Sequence, residues 1–245
     1  GVAEDRLLPE GVFLINAQMV GMLIGGLLWG VFGDRKGRLS VLFGSILLYS
    51  LANIANATGT ITIGASTTTA AVFSGGVTGT NNLVLDSTGG AFPLTFSTAA
   101  INNAGTVTNS GTGTGLTTIS GGIGANVTAI TENSTASALT ISTTALTVNG
   151  SGTTLTNSNA SGSSVLTVSG AVAGTGNLVL NNNSSIANGI TLSNASVNNA
   201  GTITNSGTGT GATLISGIIL TSVTGVVQNS STSQLTLSGA NTFTT

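Results

Sequence analysis

The chain has 245 residues and very little charge, with four Lys and Arg residues, six Asp and Glu residues, no His and a formal net charge of −2. Residues 58–245 contain no Lys or Arg and so lack the clustered basic side chains of a nucleic-acid surface. Because the chain has no Cys, it has neither a disulfide framework nor a thiolate metal site. Eight of the ten charged side chains lie in residues 1–57, and only Asp86 and Glu132 follow them. The composition therefore divides the chain into two regions that meet near residue 57.

Two uncharged runs, residues 11–33 and residues 39–57, dominate the first region. As helices they would be about 34 Å and about 28 Å long, and about 20 apolar residues span a membrane. We therefore predict a two-helix transmembrane hairpin over residues 1–57. The turn between the runs, residues 34–38, is basic, so the positive-inside rule predicts that it is cytoplasmic. A buried hairpin of a soluble protein is the alternative.

The turn between the two runs carries a specific motif, formed by Gly30, Asp34, Arg35, Gly37 and Arg38. It resembles the loop between the second and third helices of major facilitator superfamily transporters. The resemblance covers roughly 57 residues of a fold built from two six-helix halves. It implies a charge network that biases the inward-facing and outward-facing states. Residues 58–245 contain no further apolar run of transmembrane length, so we expect such a fragment to be inactive by itself.

Short strands and turns alternate in residues 58–245. Apolar residues recur there at period two, which predicts strands of three to five residues, while clusters of Gly, Asn and Ser predict turns. No stretch shows a helical period. The predicted strands are Ile61–Ile63, Leu83–Leu85, Leu94–Phe96, Leu139–Ile141, Leu146–Val148, Leu166–Val168, Ile190–Leu192 and Leu235–Leu237.

An internal duplication is the strongest signal of architecture. Residues 101–115 recur almost unchanged at 197–211, and residues 133–142 recur at 229–238, both at an offset of 96, whereas residues 82–85 recur at 177–180 at an offset of 95. Such fidelity indicates a repeat architecture. Divided into coils of roughly 20–25 residues, one repeat holds about four or five coils and the whole segment about eight or nine. We expect Asn pairs such as Asn102–Asn103 to stack as amide ladders at turns.

These observations predict a mainly β fold, a solenoid preceded by the transmembrane hairpin. A coil that buries only a few Val, Leu or Ile side chains is unstable alone, and its neighbours cover both of its faces. A β-sandwich is the main structural alternative, but it would need more large aromatic core residues than Phe73, Phe92, Phe96 and Phe243. Disorder is the second alternative, which the regular aliphatic triplets disfavour.

The end of the chain resembles a known family. Leu235–Thr244 combines an apolar-Thr-apolar strand with Gly-x-Asn-Thr and an aromatic residue, and it is similar to the autotransporter-associated β-strand repeat. The resemblance implies a right-handed parallel β-helix that is exported to the surface of Gram-negative cells.

Residues 58–245 offer little chemistry. Asp86 and Glu132 are their only titratable side chains, and we expect both to be solvated turn residues. Paired acids, an activated nucleophile or a metal cluster need more groups. We therefore predict no enzyme activity and no catalytic, cofactor-binding or metal-binding residue. The Gly-Thr-Gly-Thr-Gly segments at 111–115 and 207–211 lack the Lys and the helix of a phosphate loop, which favours turns.

These features favour a non-catalytic, surface-exposed or secreted β-solenoid passenger with a structural or adhesin-like role, on a chimeric or fragmentary chain. Residues 11–57 would contact the membrane, and residues 58–245 would be extracytoplasmic or on the cell surface. We expect no nucleic-acid partner, and the solenoid edges offer a surface for self-association. One alternative is a single product in which the hairpin anchors the solenoid. The other is a fragment of a major facilitator superfamily transporter.

Overall fold

A computed structural model of the chain describes residues 59–65, 69–142, 145–159, 162–193 and 196–244. The predicted transmembrane hairpin lies outside these residues, and none of the described residues belongs to a helix that could cross a membrane. The described strands are β1 Ile61–Ala65, β2 Ala71–Phe73, β3 Leu83–Ser87, β4 Leu94–Phe96, β5 Gly105–Asn109, β6 Thr117–Ile119, β7 Val127–Glu132, β8 Leu139–Ile141, β9 Leu146–Val148, β10 Thr153–Asn157, β11 Leu166–Val168, β12 Val172–Gly174, β13 Leu178–Asn182, β14 Ile190–Leu192, β15 Thr202–Asn205, β16 Thr213–Ile215, β17 Gly225–Gln228 and β18 Leu235–Leu237.

The strands form a parallel β-solenoid of about seven turns. Sheet one contains β1, β3, β5, β7, β10, β13, β15 and β17, in that order across the sheet. Sheet two contains β2, β4, β6, β8, β11, β14, β16 and β18. A third, shorter face consists of the pair β9–β12 and of isolated parallel bridges such as Val77↔Ile101 and Val197↔Ile219. Parallel pairing between successive coils confirms the predicted solenoid and excludes the β-sandwich, whose sheets are antiparallel.

The coil length agrees with the sequence periodicity. Partners in sheet one are 22 residues apart at the first coil, Ile61↔Leu83, and 25 residues apart later, Leu155↔Leu180. These lengths lie within the predicted range. The eight strands of each main sheet are joined by seven such steps, which make about seven turns. All eight predicted strands are confirmed.

The duplication corresponds to four coils. We name the coils by their strands in sheets one and two: type A carries β3 and β4, type B carries β5 and β6, type C carries β7 and β8, and type D carries β10 and β11. The second repeat then supplies type A with β13 and β14, type B with β15 and β16, and type C with β17 and β18. β1 and β2 precede a type-A coil, as β10 and β11 do, and they therefore form a type-D coil. The described solenoid therefore follows the order D-A-B-C-D-A-B-C.

One continuous apolar column fills the interior. Successive strand residues point alternately inward and outward, so each three-residue strand of sheet two delivers two side chains to the interior, and most of these are aliphatic or aromatic. Leu94, Phe96, Leu139 and Ile141 have no exposed surface. Each coil is thus stabilised chiefly by the apolar surface that it buries against the coils before and after it.

Candidate functional site

The structure places both acids of residues 58–245 on strands, so the prediction of solvated turn residues is wrong. Asp86 lies on β3, where its side chain is half-buried. Glu132 is the last residue of β7 and has no exposed surface. Strand alternation explains the difference from the prediction: Glu132 follows buried Ile130 by two residues and therefore points to the same inner side.

Glu132 belongs to a row of buried polar side chains inside sheet one. Asn109, Glu132, Asn157 and Asn182 lie directly in register on four successive strands, β5, β7, β10 and β13. All four side chains are fully buried. We call these four residues the buried polar row. Buried polar groups are tolerated when they are hydrogen-bonded, so the contacts of the row decide whether it stabilises the fold.

The amide side chains of the row link neighbouring coils. The Nδ2 atom of Asn109 donates to Glu132 Oε2 at 2.8 Å and to the Ser137 carbonyl at 2.7 Å. Its Oδ1 atom accepts from the Thr117 hydroxyl at 3.0 Å. Asn157 donates in the same way to the Gly189 carbonyl at 2.8 Å. Each amide therefore fixes the turn between sheet one and sheet two in the next coil.

The Glu132 carboxyl accepts two hydrogen bonds but is shielded from water. Its Oε1 atom accepts from the Ser134 backbone N–H at 2.7 Å, while Oε2 accepts from Asn109. Burial raises the pKa of the Glu132 carboxyl to about 8, because these hydrogen bonds favour the charged form less than the loss of hydration disfavours it. A raised pKa often marks a catalytic acid, but a carboxyl without exposed surface cannot touch a dissolved substrate. The arrangement can act structurally and as a proton-binding site within the fold.

The second repeat contains the same arrangement with an amide in place of the acid. Gln228 occupies the position 96 residues after Glu132. Asn205 donates to Gln228 Oε1 at 2.9 Å and to the Ser233 carbonyl at 2.7 Å, as Asn109 does to its two partners. Gln228 lies in the last described coil, where it is exposed. The chain therefore contains its own neutral counterpart of the buried acid.

Outward side chains of sheet two form a second in-register row. It runs through β4, β6, β8, β11 and β14 and resumes at β18, with Leu214 as its only interruption between these strands. Its members are half-buried or exposed, and they are spaced by one strand, ~4.8 Å. We call it the threonine row: Thr95, Thr118, Thr140, Thr167, Thr191 and Thr236.

No family model, curated protein or solved structure matches the chain. The resemblances to autotransporter repeats and to major facilitator superfamily transporters therefore stay predictions, whereas the β-solenoid itself is observed. The predicted transporter-like motif residues Gly30, Asp34, Arg35, Gly37 and Arg38 lie outside the described residues. In the part of the chain that the structure describes, no three His, Cys, Asp or Glu side chains group together.

The glycine and asparagine turns act through backbone contacts between coils. The segments 111–115 and 207–211 are irregular turns, as predicted. A β-carbon at Gly115 would overlap the carbonyl of Phe92 in the preceding coil, which explains the glycine there. Asn102 accepts the backbone N–H of Asn126 at 3.0 Å. This hydrogen bond connects the turn of one coil to the backbone of the next coil. The amide side chains that lie in register are those of the buried polar row, and they lie within sheet one and not at turns.

Sequence reasoning missed the buried polar row because Asn is a common turn residue. A signal was nevertheless present in the spacing. Asn109, Asn157 and Asn182 each follow an inward aliphatic residue by two positions. Extending the period-two pattern by one step beyond each apolar residue would have placed these amides inside.

Proposed function

We propose that this chain is a non-catalytic, surface-exposed β-solenoid passenger with a structural or adhesin-like role. The observation that carries the proposal is the threonine row, which repeats one short hydroxyl-and-methyl side chain on coil after coil of an uncharged face. Such a face offers many identical weak contacts along a rod, and this suits attachment to an extended surface better than recognition of one small molecule. Residues 11–57 serve as the membrane contact in this proposal, and residues 58–245 are extracytoplasmic.

The buried side of the solenoid supports a structural role. The chain places one ionisable side chain, Glu132, in the described interior, where it has no exposed surface and is hydrogen-bonded within the fold. Asp86 is the other carboxylate of residues 58–245, and no His, Lys, Arg or Cys occurs there that could serve as its catalytic partner. Acid–base or nucleophilic catalysis uses at least two cooperating groups, so the inventory favours a scaffold.

Surface labelling tests the location. Antibodies against residues 58–245 should label intact cells that express the full chain as strongly as permeabilised cells. A short protease treatment of intact cells should remove the signal. Labelling that appears only after permeabilisation would overturn the proposed location.

Attachment to surfaces tests the threonine row. Beads coated with the full chain should adhere to glass and to matrix-coated surfaces, and the double variant Thr118→Lys with Thr167→Lys should weaken this adhesion. The matched control is Thr108→Lys with Thr156→Lys, which changes outward threonines of sheet one that are likewise two coils apart. Equal adhesion of both variants and the original chain would contradict a role for the threonine row.

A further inference from the structure

One place in the buried polar row brings together a hydroxyl, a side-chain amide and a carboxyl. Asn109, Thr117 and Glu132 have no exposed surface. The Thr117 hydroxyl lies 3.0 Å from Asn109 Oδ1, and Glu132 Oε2 lies 2.8 Å from Asn109 Nδ2. A nucleophile thus contacts one end of the Asn109 amide, and an acid contacts the other end. We call these three residues the buried triad.

The solenoid fold holds the three groups of the buried triad in place. Asn109 is the last residue of β5, and Thr117 is the first residue of β6 in the same coil. Glu132 lies directly opposite Asn109 on the next strand of sheet one. Ser137 contacts both partners, because its carbonyl accepts from Asn109 Nδ2 at 2.7 Å and its hydroxyl lies 3.1 Å from the Thr117 hydroxyl. Groups that are held together in this way react as if they were highly concentrated.

We propose that the buried triad forms an internal ester, in which the Thr117 oxygen displaces ammonia from the Asn109 side chain. The bond that forms joins Thr117 Oγ1 to Asn109 Cγ, and the bond that breaks joins Asn109 Cγ to Nδ2. An amide and an alcohol become an ester and ammonia, so the reaction needs no oxidant, reductant or second reagent. It occurs once in each chain, and it is independent of the role assigned to the threonine row.

Protons balance within the buried triad. As the Thr117 oxygen attacks, its proton passes to Asn109 Oδ1, to which it is already hydrogen-bonded. The carbon becomes tetrahedral, and Nδ2, which is no longer conjugated with the carbonyl, takes a proton from the adjacent Glu132 Oε2. The C–N bond then breaks, the carbonyl forms again, and the proton on its oxygen returns to the Glu132 carboxylate. Ammonia therefore leaves with two protons of the amide and one of the carboxyl, which the Thr117 proton replaces.

Burial suits Glu132 to this role. It raises the pKa of the carboxyl to about 8, so the group still holds a proton at neutral pH. Because the triad has no exposed surface, water has little access to compete with Thr117 for the Asn109 carbon. The released ammonia takes up a proton in the solvent and is diluted there, which draws the reaction toward the ester.

The acid distinguishes the buried triad from two similar amides of the solenoid. Asn182 Oδ1 accepts from the Ser184 hydroxyl at 2.6 Å, but its Nδ2 donates to backbone carbonyls. Asn205 repeats the geometry more closely, because its Oδ1 accepts from the Thr213 hydroxyl at 3.2 Å and its Nδ2 donates to Gln228 at 2.9 Å. Gln228 has no acidic proton to give to a leaving nitrogen. The second repeat therefore supplies an unreactive counterpart within the same chain.

The ester links the end of β5 to the start of β6 and forms slowly. The hydroxyl of Thr117 is hydrogen-bonded to Asn109 and Ser137, neither of which is a strong base. Freshly folded chain is therefore unreacted and keeps the hydrogen bonds of Asn109 Nδ2, and the ester accumulates as the folded chain ages. The aged chain should have a higher melting temperature, because a covalent link restricts the unfolded chain.

Mass spectrometry of the full chain tests the proposal. Chain that is kept folded at neutral pH for one week should lose the mass of one ammonia molecule at Asn109, and chain kept in denaturant should not. After denaturation, a protease that cuts behind Leu116 separates Asn109 from Thr117 in the unreacted chain. In the reacted chain the two peptides should stay joined, and hydroxylamine, which cleaves esters, should release them. Separate peptides alone, from chain whose circular dichroism shows intact β structure, would overturn the proposal.

Variants of the buried triad assign the roles. Thr117→Val removes the nucleophile but keeps the shape, and it should abolish the loss of ammonia at Asn109. Thr117→Ser keeps the hydroxyl and should still give joined peptides, which separates loss of the nucleophile from loss of the fold. Glu132→Gln should slow the reaction at least about a hundredfold.

The matched control is Thr213→Val, which makes the same change in the second repeat and should react like the original chain. Ammonia loss from Asn109 that persists in Thr117→Val would show attack by the next backbone nitrogen and not by the hydroxyl. An unchanged rate in Glu132→Gln would exclude the acid. Either result would overturn the proposal.

Discussion

Replacement of Glu132 by Gln should remove most of the pH dependence of the solenoid's stability, so that the variant gains on the original chain as pH rises. The native carboxyl has a pKa of about 8 against 4.5 for the ordinary group. Between these values the unfolded chain has released the proton and the native chain still holds it. Rising pH therefore favours the unfolded state: the stability from this group is fully present below pH 4.5 and is lost as pH rises through about 8.

The size of the effect follows from the pKa difference. Each pH unit between the two pKa values removes about 1.4 kcal/mol from the free energy of unfolding. From pH 4.5 to pH 7 the loss is thus about 3 kcal/mol, a large fraction of the ~5–15 kcal/mol that stabilises a typical domain. Gln has nearly the same shape, and the Asn205–Gln228 pair shows that an amide oxygen accepts the hydrogen bond from the preceding coil at 2.9 Å. The NH2 group of Gln cannot accept from the Ser134 N–H as Oε1 of Glu132 does, and this loss offsets the gain by about 1–3 kcal/mol.

Denaturant unfolding at pH 5, 6, 7 and 8 is the assay, with the midpoint and the slope fitted for the original chain and for Glu132→Gln. The original chain should lose stability steadily over this range, and the variant should lose little. Gln228→Glu is the matched control, since it places a carboxylate beside Asn205 in a coil that nothing in the described solenoid covers. It should add little to the pH dependence that Glu132 gives the original chain. Parallel curves for the original chain and Glu132→Gln would refute the reasoning.

Two further predictions concern contacts between coils. Gly115→Ala should lower the unfolding free energy by about 1–3 kcal/mol, since its β-carbon would overlap the Phe92 carbonyl, whereas Gly75→Ala, which meets open space, should change the melting temperature little. Asn109→Ala should cost about 1–3 kcal/mol in denaturant unfolding, because it removes three buried hydrogen bonds. The outward change Thr108→Ala is its control, and a loss as large as that of Asn109→Ala would argue against the buried polar row.

The alternating triplets made much of this fold predictable from sequence. Strands such as Leu139–Ile141 place two aliphatic side chains around one outward Thr, and that pattern is typical of a short strand with one buried face. Because segments of the sequence recur at an offset of 96 residues, both repeats were expected to adopt the same structure. Together they were sufficient to predict the solenoid and the approximate coil length.

Some of the strands that escaped prediction have polar residues that point inward. β5, Gly105–Asn109, contains only one aliphatic residue, and β6, Thr117–Ile119, has a buried Thr at its start. Their inward positions are satisfied by hydrogen bonds to the next coil, and a local pattern does not record such partners. Glu132 was misplaced for the same reason, because a lone acid suggests solvent until its donors in neighbouring coils are known.

Distances along the threonine row test the central claim, a single parallel solenoid, most directly. In the cysteine-free chain, spin labels can be attached through Thr95→Cys paired with either Thr191→Cys or Thr236→Cys, with unlabelled chain added in excess. The row places the first pair four strands apart and the second six strands apart, so the spin–spin distance should increase by about 10 Å between the two samples. Narrow distributions with that increment are the expected result. Equal distances in the two samples, or broad distributions in both, would contradict the solenoid.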